Sequence, residues 1–178
     1  MLCSVEPDST RELDLGACPA AKKGDGTCSP PIDHGVVLKD ASGRSWQSPP
    51  PDGSPRQWFT FEEAKDYCKG LDLEGPGWTL PTLADLRSLI EGCPATEASA
   101  PLCEVAKAEV SACTCSYQPA GPALNGCYWQ SAFNGHDCDQ DLWSSTTADA
   151  SRGWTVEFRR AMLGVQALST QNGVMCVR

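Results

Sequence analysis

The chain has 178 residues, 40% of them hydrophobic, which suits a single cored domain with an appendage. Fourteen basic against twenty-three acidic residues leave a net charge of −9, which repels nucleic acid and anionic membrane surfaces and disfavours both as partners. Eleven cysteines exceed what a reducing cytosol hosts in so short a chain, and they lack the paired Cys-x-x-Cys knuckles of structural zinc sites, so disulfides and an oxidising compartment are expected.

Residues 1–32 hold few periodic apolar positions and read as a stalk or linker, in which Cys18 and Cys28 bracket a small loop closed by a disulfide. Ten cysteines can pair and one is left over. Cys3, near the N-terminus, stands where a bacterial lipoprotein carries its lipid, although Leu2 is larger than the residue that usually precedes such a cysteine. No segment reaches the roughly 18 apolar residues of a membrane span, so any membrane contact is expected only through that lipid. No signal peptide is visible, and an export signal is expected to have been removed or to lie outside this numbering.

The folded domain is expected over 33–178. Val36-Val37-Leu38, a turn at Asp40–Gly43 and Ser45-Trp46-Gln47 predict a first hairpin. Ser48–Pro55 is too proline-rich to continue a strand and predicts a rigid exposed loop. Thr60 and Glu63 have the spacing of a capping box; Phe61, Ala64, Cys68 and Leu71 share one face of the helix they open, and Gly70 is placed to end it in a left-handed conformation. Pro81 and Thr82 open a second helix with Asp85 in the capping position and Leu83, Leu86, Leu89 and Ile90 as its apolar stripe, closed by Gly92.

Cys93, Cys103, Cys113, Cys115, Cys127 and Cys138 then fall within about fifty residues rich in Gly and Pro, with a helical turn or two over Glu104–Val110. An irregular stretch of this length is costly to order without crosslinks, so disulfides are expected to staple it, in pairings that spacing leaves open. The last forty residues predict an antiparallel meander. Trp154, Val156 and Phe158 alternate with polar neighbours, Leu163, Val165 and Ala167 follow beyond a turn, and Val174–Val177 is apolar on both faces. Gly153, Gly164 and Gly173 are expected at strand ends or bulges.

Ala64-x-x-Tyr67-Cys68, Gly77-Trp78-x-Leu80-Pro81-Thr82 with Leu86, Leu142-Trp143-Ser144-Ser145-Thr146, Trp154-x-Val156-x-Phe158 and Cys176-Val177-Arg178 resemble, in order, the motifs of the Lcl-type C-terminal domain family. That family comprises extracellular or surface-attached bacterial modules related to C-type-lectin-like domains, at least one of them implicated in binding glycosaminoglycans. The resemblance implies an α+β, C-type-lectin-like fold, with two helices packed on a twisted antiparallel sheet and a long disulfide-stapled loop region that carries recognition. It also implies a Cys68–Cys176 disulfide closing the domain, and a core role for Trp78, Trp143 and Trp154. Sulfated glycans need a basic face, and this acidic chain offers no dense Lys or Arg run.

Within residues 113–141, Tyr128 and Trp129 are candidates for stacking on a sugar or partner side chain, with core packing as the plainer alternative. Asn134, Asp137, Asp139 and Asp141 complete the candidate ligand surface. Alternate carboxylates in an extended loop project together, so Asp137, Asp139 and Asp141 are candidate calcium ligands, against the plainer reading of a solvated acidic loop. The sequence lacks an EF-hand pattern and the tripeptides of calcium-dependent sugar-binding lectins. A thiolate zinc site from Cys113, Cys115, Cys127 and Cys138 with His136 is the weaker alternative to disulfides.

His34 and His136 are the only histidines, and neither lies in a hydrolytic motif. Trp78-Thr-Leu-Pro-Thr82 is similar to the Arg-Leu-Pro-Thr stretch of formylglycine-generating enzymes, but the reactive cysteine pair of those enzymes has no counterpart, which leaves a structural strand-to-helix junction. The leading expectation is a non-catalytic extracellular or cell-surface adhesion module that binds a glycan or protein through residues 113–141. A structural subunit of a surface appendage or envelope complex is the alternative.

Overall fold

The computed structural model describes residues 36–49, 57–100, 114–115 and 120–178, all of which fall within the unit His34–Arg178. The stalk with Cys3 and the Cys18–Cys28 loop, residues 50–56 of the proline loop, the helical turn expected at Glu104–Val110, and Cys103 and Cys113 lie outside the described residues.

The first hairpin forms where expected: strands β1 (Val37–Lys39) and β2 (Ser45–Gln47) pair antiparallel, with Leu38 opposite Trp46. Asp40 shapes the turn from inside. Its Oδ1 accepts from the Ser42 and Arg44 amides at 2.9 and 3.0 Å, and its Oδ2 accepts from Trp46 Nε1 at 2.9 Å. Arg44 ties this carboxylate to Asp85 and to Ser88 beyond the second helix, so a buried charge is matched by donors on three sides.

Helix α1 (Phe61–Gly70) begins with the expected capping box, Glu63 Oε2 accepting from the Thr60 amide at 2.8 Å, and buries Phe61, Ala64 and Cys68. Gly70 differs from expectation. It remains in the helix without a positive φ, and Leu71 ends the helix in an extended conformation because its side chain is drawn into the core. Helix α2 (Leu83–Arg87) is also capped as expected, through Thr82 and Asp85, but it is one turn shorter than its apolar stripe suggests. Ile90 pairs with Trp129, and Glu91 N and Leu89 O bond to Tyr128 O and Gln130 N. The backbone bonds that would extend the helix are thus diverted into a strand-like pairing.

The meander is a three-stranded antiparallel sheet of β3 (Asp141–Thr147), β4 (Arg152–Glu157) and β5 (Met162–Ala167), with a register shift between Trp143, which pairs with Thr155, and Thr147, which pairs with Gly153. Gly164 lies mid-strand opposite Thr155 rather than at a strand end. The last residues form single bridges instead of a strand: Asn172 to Phe59, Gly173 to Leu142, and Val177 to both Trp46 and Thr79.

The described residues therefore combine two small antiparallel sheets with few helices. The two helices cover opposite faces of the larger sheet. Trp143 packs edge-on against Phe61 of α1, whereas Leu142, Val156 and Leu163 meet Leu83 and Leu86 of α2. Trp78 and Trp143 are core residues, and Trp154 packs partly buried against the core. Among the described residues three disulfides fasten this arrangement. Cys68–Cys176 joins α1 to the chain end as the resemblance implied, while Cys93–Cys115 and Cys127–Cys138 staple the middle segment, accounting with disulfides for three of the four thiols of the alternative zinc site.

Candidate ligand-binding surface

Tyr128 and Trp129 are core residues, 3% and 0% exposed, and present no ring face to a ligand. The reason is backbone pairing. Residues 128–130 run as an internal rung between Leu89–Glu91 and Phe158, whose carbonyl accepts from the Tyr128 amide at 2.8 Å. Trp129 then packs between Phe133 and Phe158, with ring centroids 5.7 and 5.3 Å away.

The three carboxylates diverge. Asp137 turns inward and its Oδ1 accepts from the Asp139 amide at 3.0 Å, a local turn that bends the chain. Asp139 points out, 3.7 Å from Arg159 Nε. Asp141 has entered β3, where Thr155 Oγ1 donates to it at 3.4 Å. An extended loop would have aligned them; a turn followed by a strand separates them. No group of three or more His, Cys, Asp or Glu side chains among the described residues is placed to hold a metal ion.

Asp141 instead faces Glu157 across the β3–β4 rung. Burial pushes both carboxyls above their ordinary range, against the opposing pull of Thr155 on Asp141 and of Arg160, whose Nε lies 2.9 Å from Glu157.

What the middle segment does present is the tight turn Gly121–Cys127. Gly121 N donates to Gly126 O at 2.9 Å and Ala123 N to Cys127 O at 3.1 Å. Gly126 supplies the left-handed φ of +78°, and a side chain at Gly121 would run into the Cys127 backbone. Leu124 at the apex is 90% exposed.

This apex is held rather than loose. Asn134 Oδ1 accepts from the Leu124 amide at 3.0 Å, Asn125 Nδ2 donates to His136 O at 2.8 Å, and Arg159 Nη1 donates to Asn125 O at 2.7 Å. The Cys127–Cys138 disulfide crosslinks the two sides. Asn134 is thus a positioning residue for the turn. Leu124, Arg159 and Asp139 form its accessible rim, and the Arg159–Asp139 pair is exposed enough to exchange for bonds to a partner at little cost.

Sequence reasoning missed Arg87, which anchors the start of the segment. Although buried, its guanidinium meets main-chain carbonyls: Nε donates to Thr96 O at 3.1 Å, and Nη2 to Glu97 O and Ala100 O, both at 2.7 Å. Burial lowers its pKa below the usual arginine value. An arginine at the end of a five-residue helix looks solvent-facing in sequence, and only the return of residues 96–100 covers it.

A helix-flanked sheet whose accessory segment is crosslinked into a rigid, apolar-tipped turn defines a disulfide-stapled module with a preformed surface. The chain belongs to the Lcl C-terminal domain family, whose model matches residues 35–178. No curated protein matches the chain.

Proposed function

We propose that the chain is a non-catalytic binding module of an extracellular or cell-surface compartment, that its fold is a form of the C-type-lectin-like architecture, and that it engages a protein ligand through the turn centred on Leu124. The observation that carries this reading is an apolar side chain 90% exposed at an apex fixed by three side-chain hydrogen bonds and a disulfide. A preordered loop spends little binding energy on its own ordering, and an exposed leucine gains from burial against a partner. A glycan ligand is less well served at this segment, since its two aromatic rings, Tyr128 and Trp129, lie in the core. The divergence of Asp137, Asp139 and Asp141 speaks against calcium bridging these three carboxylates. A lipid at Cys3 would tether the module to a membrane.

The test is a binding screen of the purified, oxidised chain against protein and glycan arrays, run with the parent and with Leu124→Ser. Protein hits that Leu124→Ser loses support the reading; hits confined to glycans, or unaffected by the substitution, overturn it. Permanent packing in a surface assembly would use the same apex and would show as self-association that the substitution abolishes.

A further inference from the structure

All three asparagines of the chain, Asn125, Asn134 and Asn172, are followed by glycine. That pairing carries a chemistry of its own. A glycine amide has no Cβ to hinder it, so its nitrogen can attack the side-chain carbonyl carbon of the preceding asparagine, and whether it does depends on what the fold leaves free.

The fold clamps two of the three linking peptides at both ends. Asn125 O accepts from Arg159 Nη1 at 2.7 Å, and Gly126 N donates to Ala123 O at 2.8 Å. Asn125 Nδ2, the group that would have to leave, is also held, donating to His136 O at 2.8 Å. Asn172 is 4% exposed; its carbonyl accepts from Phe59 N at 2.9 Å, and Gly173 N donates to Asp141 O at 2.8 Å.

The Asn134–Gly135 peptide is open. These residues are the central pair of a type II turn, with φ −57° and ψ 138° at Asn134, φ +81° at Gly135, and His136 N donating to Phe133 O at 3.3 Å. Neither Asn134 O nor Gly135 N has a hydrogen-bond partner among the described residues. Gly135 is exposed, and a Cβ placed on it would meet nothing within 4 Å. The central peptide of a turn swings between the type II and type I settings, about +120° and −30° in ψ of its first central residue, without moving its flanks. One direction of that swing carries the Gly135 nitrogen past the Asn134 side chain. There Oδ1 accepts from the Leu124 amide at 3.0 Å, whereas Nδ2 is unbonded among the described residues. The Leu124 N–H therefore stands where negative charge collects as the carbonyl is attacked, and the leaving group is not tied.

We propose that Asn134 is a spontaneous modification site that converts to aspartate and isoaspartate while Asn125 and Asn172 persist. The Gly135 nitrogen gives up its proton and bonds to Asn134 Cγ; the Cγ–Nδ2 bond breaks and ammonia leaves with that proton, closing a succinimide ring. Water then opens the ring at either carbonyl. One opening yields aspartate, the other isoaspartate, whose main chain is longer by a methylene. Isoaspartate routes the main chain through the atoms that hold the Leu124 amide, so the bond fixing the apex is lost and the turn loosens as the protein ages.

The test follows the parent chain at pH 8, folded and, in parallel, reduced and unfolded in urea, by site-resolved peptide mass mapping until the unfolded sample has converted at all three asparagines. A glycine amide that must first break a hydrogen bond is slowed, so the folded chain should convert at Asn134 about tenfold faster or more than at Asn125 or Asn172. No conversion at Asn134 in the folded chain, or conversion at Asn125 or Asn172 that keeps pace with it, overturns the proposal. The converted form gains a negative charge and separates by ion exchange; its Leu124 amide should exchange with deuterium faster than the parent's, and equal exchange overturns the coupling to the turn. Any effect on recognition rests on the Leu124 reading, whereas the conversion is scored by mass with no ligand present, so the two fail separately.

Discussion

Replacing Trp129 separates a core residue from a binding residue, and the structure sets the size of the effect. The ring is fully buried between Phe133 and Phe158. Truncation to Ala removes this packing and leaves a cavity, at a cost of about 3–5 kcal/mol. For a chain of 178 residues, each kcal/mol moves the melting temperature by about 2–4 °C, so Trp129→Ala should melt about 6–20 °C below the parent. Trp129→Phe should behave differently. Trp129 Nε1 is buried with no partner among the described residues, and such a donor carries a penalty of about 1–3 kcal/mol that Phe removes. Loss of the smaller ring's worth of contacts costs roughly 2 kcal/mol at about 0.8 kcal/mol per methylene-sized group, so the two effects nearly cancel and Trp129→Phe should lie within about 1 kcal/mol of the parent. Denaturant unfolding of parent and both variants provides the numbers. A Trp129→Ala protein that melts like the parent, or a Trp129→Phe as damaging as Ala, would refute this account of the core.

Arg87→Ala leaves the carbonyls of Thr96, Glu97 and Ala100 without their donor; a loss of about 2–4 kcal/mol and faster amide exchange over residues 96–100 are expected, and unchanged exchange would show that the segment is held by something else. Breaking Cys68–Cys176 with paired serines opens a loop of 108 residues, for which chain entropy gives about 4–5 kcal/mol, and a non-reduced peptide map should recover this bridge together with Cys93–Cys115 and Cys127–Cys138. Two carboxylates should give opposite pH signatures. Burial raises Glu157, so its proton uptake favours the folded state and its contribution to stability grows as pH falls from neutral through the raised pKa; Glu157→Gln should flatten that rise. Burial acts the same way on Asp40, but hydrogen bonds from Ser42, Trp46 and Arg44 outweigh it and hold the carboxyl well below the ordinary range. Its contribution is therefore present above the ordinary carboxylate pKa near 4 and lost as pH falls further, so Asp40→Asn should lower stability at pH 7 and reduce the acid-induced loss. Unfolding at pH 3, 5.5 and 7 checks both signs.

Local chemistry was readable wherever local chemistry decides. Thr60 with Glu63 and Thr82 with Asp85 specify helix starts within four residues, and the alternation around Trp154 and Val156 specifies a strand, so all three features stand where the sequence puts them. Features settled by distant partners were not readable. Leu89 and Ile90 keep a helical apolar period, yet their backbone pairs with Trp129 and Gln130, forty residues away. Tyr128 and Trp129 sit beside a cysteine in a Gly-rich stretch and look loop-borne, but the same pairing buries them. Asp137, Asp139 and Asp141 share a spacing that means convergence only in an extended chain, and the turn at Asp137 and the start of β3 break it. The exposed Leu124 carried no signal of its own, because an apolar residue between Ala123 and Asn125 is ordinary until the turn around it is known. The Gly121–Gly126 spacing and the nearby Cys127 were the available hints.

The measurement that bears most directly on the binding role is the affinity of Leu124→Ser and Arg159→Ala, relative to the parent, for a protein ligand captured from the array, with melting temperatures recorded on the same samples. Leu124 is 90% exposed and Arg159 partly so, and neither supports the core, so melting should stay within about 2 °C of the parent for Leu124→Ser. Burying a leucine against a partner is worth about 1.5–3 kcal/mol, so its affinity should fall roughly tenfold or more. Affinity that is unchanged in a Leu124→Ser protein melting like the parent would contradict the assignment of this turn as the recognition surface.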